Sequence, residues 1–265
     1  MSDWIAIVIL GIIEGITEFL PISSTAHLLI IENWLPRQTD LFNIVIQSGA
    51  VIAVLPLFPR RLHQFVFQWR EKATRDYGLK IFVAVVITGI GGLLLDKAGF
   101  KLPERLWPVA WAMLVGGIGF LVIERWLSGS NPQGPVTWSV AVVVGVGQLI
   151  AAVFPGTSRS GATILLMLML GLSRPAATEF SFLVGIPTML AAGGLKIFQA
   201  LHHPPVGGAT ERWDMVLLGF ITSAVVSFIV VRWLLRYIQT HTFIVFGWYR
   251  IVLGAVLFLL LFLEY

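Results

Sequence analysis

The sequence predicts an all-α integral membrane protein: six transmembrane helices plus two re-entrant helix–turn–helix hairpins, arranged as an inverted-topology repeat. Three observations lead there. The chain is 57% hydrophobic and 12% charged, with a mean hydropathy of +0.87. A soluble domain is nearer half apolar and a quarter charged, so lipid must replace water over much of this surface. Six apolar runs of roughly 17–22 residues have the length that a bilayer core demands. Two further apolar segments are each broken at the centre by a proline and a cluster of Ser, Thr and charge. Spanning backbone must satisfy its own hydrogen bonds, which makes the spans helical.

The first segment, about 4–35, has Asp3 and no basic residue before its apolar run, and Glu14 and Glu18 interrupt that run; it does not read as a cleaved signal peptide and is expected to be retained. Six spans follow at about 41–58, 81–96, 106–124, 177–198, 214–235 and 243–263. The second interrupted segment, about 136–173, lies between the third and fourth of them. Neither interruption reads as an aqueous loop, because hydrophobic residues resume at once. Such a turn is tolerated at membrane depth only where protein or a water-filled cavity receives it.

The two interrupted segments resemble each other. One carries Gly11, Glu14, Pro21 and Ser24; the other carries Gly145, Gln148, Pro155 and Ser158 at the same spacing. Each precedes three spans, so an odd number of crossings inverts the second copy, and a repeat of this kind puts its site near the midplane. The chain is thus one membrane domain, 1–265, with pseudo-repeats over about 4–124 and 136–263.

Orientation follows Lys and Arg. The loop after the first span, with Arg60, Arg61, Arg70, Lys72, Arg75 and Lys80, is expected in the cytoplasm. Both termini then lie outside, the first hairpin enters from outside and the second from inside. The loop with Lys97, Lys101 and Arg105 falls outside, against the rule. The net charge of +4 is what basic cytoplasmic loops supply and does not imply nucleic acid. With no cysteine, disulfides and thiolate sites are excluded. Ten Trp suit an interfacial belt, although packing explains any single one.

Glu14 and Glu18 are four apart and share a helix face. A carboxylate among apolar neighbours in a membrane is costly, and two like charges side by side need a cation or a shared proton. Oxygen-only ligands suit a hard cation, Mg²⁺ or Ca²⁺; a proton relay is the competing reading. Pro21 ends that helix, and Ser23, Ser24 or Thr25 could cap the next one. His27 follows Ser24 by three residues, so the two face each other if Ser24 lies in the first turn, with Glu18 tuning the imidazole. In the second segment, Gly156 allows close backbone approach, Thr157, Ser158 and Ser160 supply hydroxyls, and the next helix offers its N-terminal amides to an anion. Arg159 adds a permanent charge with bidentate geometry for phosphate. Together these are phosphoryl-transfer equipment. No G-x-x-x-x-G-K-[ST] occurs, so ATP is not the fuel suggested, and a phosphorylated lipid arriving sideways from the bilayer is the natural substrate.

"EGITEFLPISSTAH" and "PGTSRSGAT" resemble the two signature motifs of the undecaprenyl-diphosphate phosphatase family, the bacitracin-resistance proteins. The resemblance continues through "VIQSGAVIAV" and "SRPAATEFSFLVGIPTM" and covers most of the chain. It implies hydrolysis of undecaprenyl diphosphate to undecaprenyl phosphate and inorganic phosphate, recycling the carrier for cell-wall sugars. It also implies a divalent cation, a bacterial plasma-membrane location and a pocket facing the outer side. By this resemblance Glu14 and Glu18 hold the metal, and Ser24 is the nucleophile with His27 as its partner. Arg159 binds the diphosphate with Ser158, Ser160, Thr25, Gly156 and Thr163. Direct attack by water with His27 as base would use the same residues, and Ser23 or Thr25 could replace Ser24. The partners implied are a polyisoprenyl diphosphate and the bilayer. Small residues such as Gly49 and Ala53 suit helix contacts within the chain or in a homodimer. The rival is a transporter or lipid flippase, with Glu14, Glu18 and His27 as a relay.

Overall fold

A computed structural model describes residues 3–31, 34–100, 106–130, 132–202 and 212–263. Among them there are eleven α-helices and no strand. In chain order they are α1 (Asp3–Thr17), α2 (Ser24–Ile31), α3 (Asp40–Val54), α4 (Pro59–Phe67), α5 (Lys72–Lys97) and α6 (Leu106–Trp126). Then come α7 (Trp138–Val153), α8 (Arg159–Met169), α9 (Arg174–His202), α10 (Trp213–Tyr237) and α11 (Ile244–Leu263). Six are long and apolar enough to cross a membrane: α3 with its 3₁₀ extension to Leu57, α5, α6, α9, α10 and α11. They match the six runs expected from hydropathy. Helices α1, α2, α7 and α8 have 15, 8, 16 and 11 residues, short of the roughly 20 that a bilayer core requires.

The second span differs most from expectation. Its helix begins at Lys72 and runs 26 residues, and the stretch before it is the separate helix α4. Charge there was read as loop, but the first turns of a long helix can stand clear of lipid. Lys80 is buried and donates to Asp76 one turn earlier and to the Val136 carbonyl. Of the loop read as Lys97 to Arg105, residues 101–105 lie outside the described residues. Trp126, Trp138 and Trp213 are exposed at helix ends, as interfacial anchors are.

The packing pairs helices that are distant in sequence. Helix α1 lies on α10 and α7 on α5, while α3 packs on α9 and α6 on α11. Small residues allow the close contacts that association in lipid needs. A Cβ on Gly117 of α6 would sit 2.7 Å from the Gly247 carbonyl oxygen of α11. Gly49 is used the same way inside the chain, since a Cβ there would lie 2.5 Å from the Phe220 carbonyl oxygen on α10.

Two turns, 18–23 and 154–158, connect the short helices in the interior. Phe19, Leu20 and Ile22 of the first are buried, and the Phe19 ring meets Phe182 of α9 edge-on, with centroids 4.7 Å apart. A polar knot closes another end of the bundle. Glu124 of α6, fully buried, pairs with Arg174 at the start of α9 and accepts from the Phe243 N–H at 2.8 Å, just before α11. Three helices therefore depend on one carboxylate. Glu124→Ala leaves a guanidinium and an amide without their acceptor and should cost about 3 kcal/mol. A lowered midpoint of unfolding in detergent, partly restored by also replacing Arg174 with an uncharged residue, is the expected result.

Candidate active site

Both turns open on one cavity of about 300 Å³. The first contributes Glu18, Ser23, Ser24 and Thr25; the second contributes Gly156, Ser158 and Arg159. Gln47 of α3, Thr88 of α5, Gln148, Ala151 and Ala152 of α7, and Thr188, Met189 and Ala192 of α9 complete the wall.

The two turns share an unusual backbone feature. Ser23 and Ser158 are the only non-glycine residues with positive φ among the described residues, at 73° and 67°. Each precedes a helix and caps it through its side chain: Ser23 Oγ accepts from Ala26 N at 3.3 Å and Ser158 Oγ from Gly161 N at 3.2 Å. Of the three candidate caps, Ser23 takes the role. The left-handed region is unfavourable for a serine, and such strain concentrates at functional sites. Sequence spacing aligns Ser24 with Ser158, but the backbone aligns Ser23 with Ser158, because the first segment reaches its positive-φ residue one position sooner after Glu14 than the second does after Gln148. Gly156, at φ 91°, is required by its surroundings as well, since a Cβ there would stand 2.9 Å from the Val109 Cα and carbonyl oxygen on α6.

Glu18 joins the turns. Its Oε1 accepts from Arg159 Nη2 at 2.9 Å and its Oε2 from Ser24 Oγ at 2.7 Å. Arg159 Nη1 has no protein partner, and Gly185 of α9 leaves room for this guanidinium where a Cβ would collide with it. Glu14, one turn before Glu18, is fully buried with both carboxylate oxygens unpartnered. Two carboxylates thus face one arginine, and the excess acceptor calls for a proton or a cation. No group of three or more His, Cys, Asp and Glu suited to a metal occurs among the described residues. The donor set does fit a hard cation that takes one or two carboxylates and completes its shell with substrate phosphate and water. The free oxygens for it are those of Glu14.

His27 does not meet Ser24, as the spacing had suggested. Its Nδ1 donates to the Ser23 carbonyl at 2.7 Å, which leaves Nε2 to accept from the Tyr249 hydroxyl at 2.6 Å. The rings of His27 and Tyr249 stack with centroids 5.7 Å apart. The reason is local. Ser24 is the first residue of α2, and a helical Cβ leans toward the N-terminus, so its hydroxyl reaches back to Glu18. His27, one turn on, reaches out to α11. Thr25 is exposed to the cavity. Ser160 donates to the Leu20 carbonyl at 3.3 Å and lies 3.2 Å from Ser158 Oγ. Thr163 donates to the Arg159 carbonyl at 2.9 Å and pairs with Ser181 Oγ at 2.6 Å. Ser160, Thr163, His27 and Glu14 therefore support the cavity wall without lining it.

Sequence reasoning missed Arg250. It is fully buried in α11 and donates to the Pro21 carbonyl at 3.2 Å, the Gly156 carbonyl at 3.1 Å and the Ala112 carbonyl at 2.8 Å. One guanidinium thus ties both turns to α6. A lone arginine midway along an apolar span was the available signal, because such a charge is costly without a task. Gln47, Thr88 and Thr188 carried no such signal.

The geometry can be set beside known proteins. A family model described as bacitracin resistance protein BacA matches residues 7–256. A relative from Rhizobium etli named undecaprenyl-diphosphatase is 51% identical over 256 residues, covering 96% of each chain. Relatives of the same name from Xanthomonas euvesicatoria pv. vesicatoria and Xanthomonas oryzae pv. oryzae are 50% and 51% identical over 260 and 261 residues, each covering 98% of this chain and 97% of the relative.

Arg250 yields a prediction independent of any activity. Arg250→Met keeps the volume but strips three carbonyls of their donor. Amide hydrogen exchange should rise together in segments 18–23 and 154–158, with α3 and α10 unaffected. Acceleration in one turn alone would contradict the shared tie.

Proposed function

The chain belongs to the bacitracin resistance protein BacA family, and on that footing we propose that it hydrolyses undecaprenyl diphosphate to undecaprenyl phosphate and inorganic phosphate within the membrane. That reaction recycles the lipid carrier for cell-wall synthesis and accounts for the resistance in the family's name. The observation that carries the reading at this site is the Ser24–Glu18–Arg159 chain of hydrogen bonds, drawn from both turns and facing one cavity.

The chemistry follows from that chain. Arg159, with a free Nη1, offers donors to the terminal phosphate. Ser24 attacks the terminal phosphorus and passes its proton to Glu18, already 2.7 Å away. As the new Oγ–phosphorus bond forms, the anhydride bond breaks and its electron pair leaves with the lipid monophosphate. Water then releases phosphate from Ser24. Glu18 therefore takes the base role first given to His27, and His27 holds the Ser23 backbone and Tyr249 in place. A divalent cation, Mg²⁺ or Ca²⁺, held by Glu14 with Glu18, would neutralise charge on the phosphate oxygens. Thr25, Ser158 and the Gly156 backbone shape the diphosphate end of the cavity, and Ser160 and Thr163 brace Arg159.

The exchange of partners between halves, α1 on α10 against α7 on α5, supports an inverted repeat over about 4–124 and 136–263 in which both short hairpins are re-entrant. The basic end bearing Arg60, Arg61 and Arg75 is cytoplasmic by the positive-inside rule. Thr88 and Ala192 lie toward the opposite ends of α5 and α9, so the cavity opens to the outer side of the bacterial plasma membrane. Gly49 is taken up by α10 within the chain and leaves the homodimer without that support.

Purified protein given a polyisoprenyl diphosphate should release phosphate with Mg²⁺ or Ca²⁺ and stop with EDTA. Arg159→Ala and Glu18→Ala should each lose at least on the order of 10²-fold in kcat/KM. Ser24→Ala with full activity would remove the covalent step. A folded, lipid-supplied protein that releases nothing would turn the reading toward transport, for which a liposome flux assay is the test.

A further inference from the structure

Gln148 is the second half's counterpart of Glu14 by spacing, yet it faces the cavity where Glu14 does not. It sits on α7 with only 3% of its surface exposed, and it lines the cavity together with Glu18, Ser24 and Arg159. The orientation of its amide is fixed by its neighbour. Thr88 Oγ1 donates its one proton to the Ala84 carbonyl at 2.9 Å, so toward Gln148 the hydroxyl can only accept. The Gln148 NH₂ group therefore faces Thr88, at 3.0 Å, and the carbonyl oxygen Oε1 is turned the other way. That oxygen is buried and has no partner in the protein. Ala151 and Ala152, one turn further along α7, also line the cavity.

An acceptor held in this way asks for a donor. A phosphate oxygen is itself an acceptor and cannot serve, and Arg159 does not reach it: its Nη2 is engaged with Glu18 and its Nη1 lies against Gly185. Water can serve. We infer that Gln148 Oε1 receives a hydrogen bond from the water that completes hydrolysis, and that Thr88 is the positioning residue that keeps the amide in this sense. The inference rests on the lipid-diphosphatase reading above.

The step balances. The water oxygen bonds to phosphorus as the Ser24 Oγ–phosphorus bond breaks. Glu18 returns its proton to Ser24 Oγ and takes one from the water, while the other water proton stays on the released phosphate. The proton on Glu18 then leaves to solvent when the site empties. A neutral amide does no acid–base work here. Its contribution is to hold the nucleophile in line, the part a glutamine plays for the attacking water in GTP hydrolysis.

The test measures phosphate release from a polyisoprenyl diphosphate, with methanol added as a competing nucleophile and methyl phosphate counted against inorganic phosphate. Gln148→Ala should lower kcat by on the order of 10²-fold and KM in parallel, leaving kcat/KM near the wild-type value because the phosphorylated Ser24 accumulates, and should raise the methyl phosphate fraction, because the site no longer favours water. Thr88→Val, close to isosteric and a safeguard against misfolding of the first variant, should shift both readouts in the same direction. Thr88→Ser, which keeps the hydroxyl, should restore the wild-type partition. A folded Gln148→Ala protein with wild-type kcat and partition overturns the assignment. So does a variant that raises KM alone, since Gln148 would then be a binding group for substrate. Wild-type protein that released no phosphate would instead overturn the diphosphatase reading, and this assignment with it.

Discussion

Glu18 is the joint on which the two turns depend. One of its oxygens holds the guanidinium of Arg159 and the other holds the hydroxyl of Ser24. Its side chain is only 6% exposed, so neither bond competes with bulk water. Losing one partner of such a buried pair strands the other, at a cost of about 3–5 kcal/mol. The same joint places a hydroxyl, a carboxylate and a guanidinium along one line of hydrogen bonds, the geometry on which the proposed chemistry rests.

Much of the surrounding structure serves to keep that joint closed. Phe19 anchors the first turn against Phe182 on α9. Arg250 gathers carbonyls from both turns and from α6. Gly185 and Gly156 give room for Arg159 and for the second turn. Two serines hold the left-handed backbone needed to enter α2 and α8 while capping those helices. Buried irregular backbone needs its polar groups satisfied, and here a single arginine supplies donors to carbonyls of both turns. Glu14 stands apart. Both its oxygens are buried without a partner, an excess of acceptor that calls for a proton or a cation.

The spans were legible because hydropathy is a sum over many residues and lipid enforces it. The acidic pair, Arg159 and the hydroxyl clusters were legible because polar groups among apolar neighbours are costly and need a reason. Contacts between distant segments were not. Ser24 and His27 are three apart, but the lean of Cβ in the first turn sends Ser24 back to Glu18 and His27 outward to Tyr249. The second span was read too short because Lys72 to Lys80 resembles a loop by charge, while Lys80 in fact finds Asp76 and the Val136 carbonyl. Thr88 is an ordinary residue in an apolar helix, and only its pairing with Gln148 gives it meaning.

The most direct test of the account is a double-mutant cycle on Glu18 and Arg159, read as equilibrium unfolding in mixed micelles. Glu18→Gln, Arg159→Met and the double variant would be compared with wild type. Residues in contact across the two turns should show a coupling of about 1–3 kcal/mol, with the double variant less destabilised than the sum of the singles. Additivity to within about 0.5 kcal/mol would mean that the two turns do not meet through this pair, and the single shared site would be wrong.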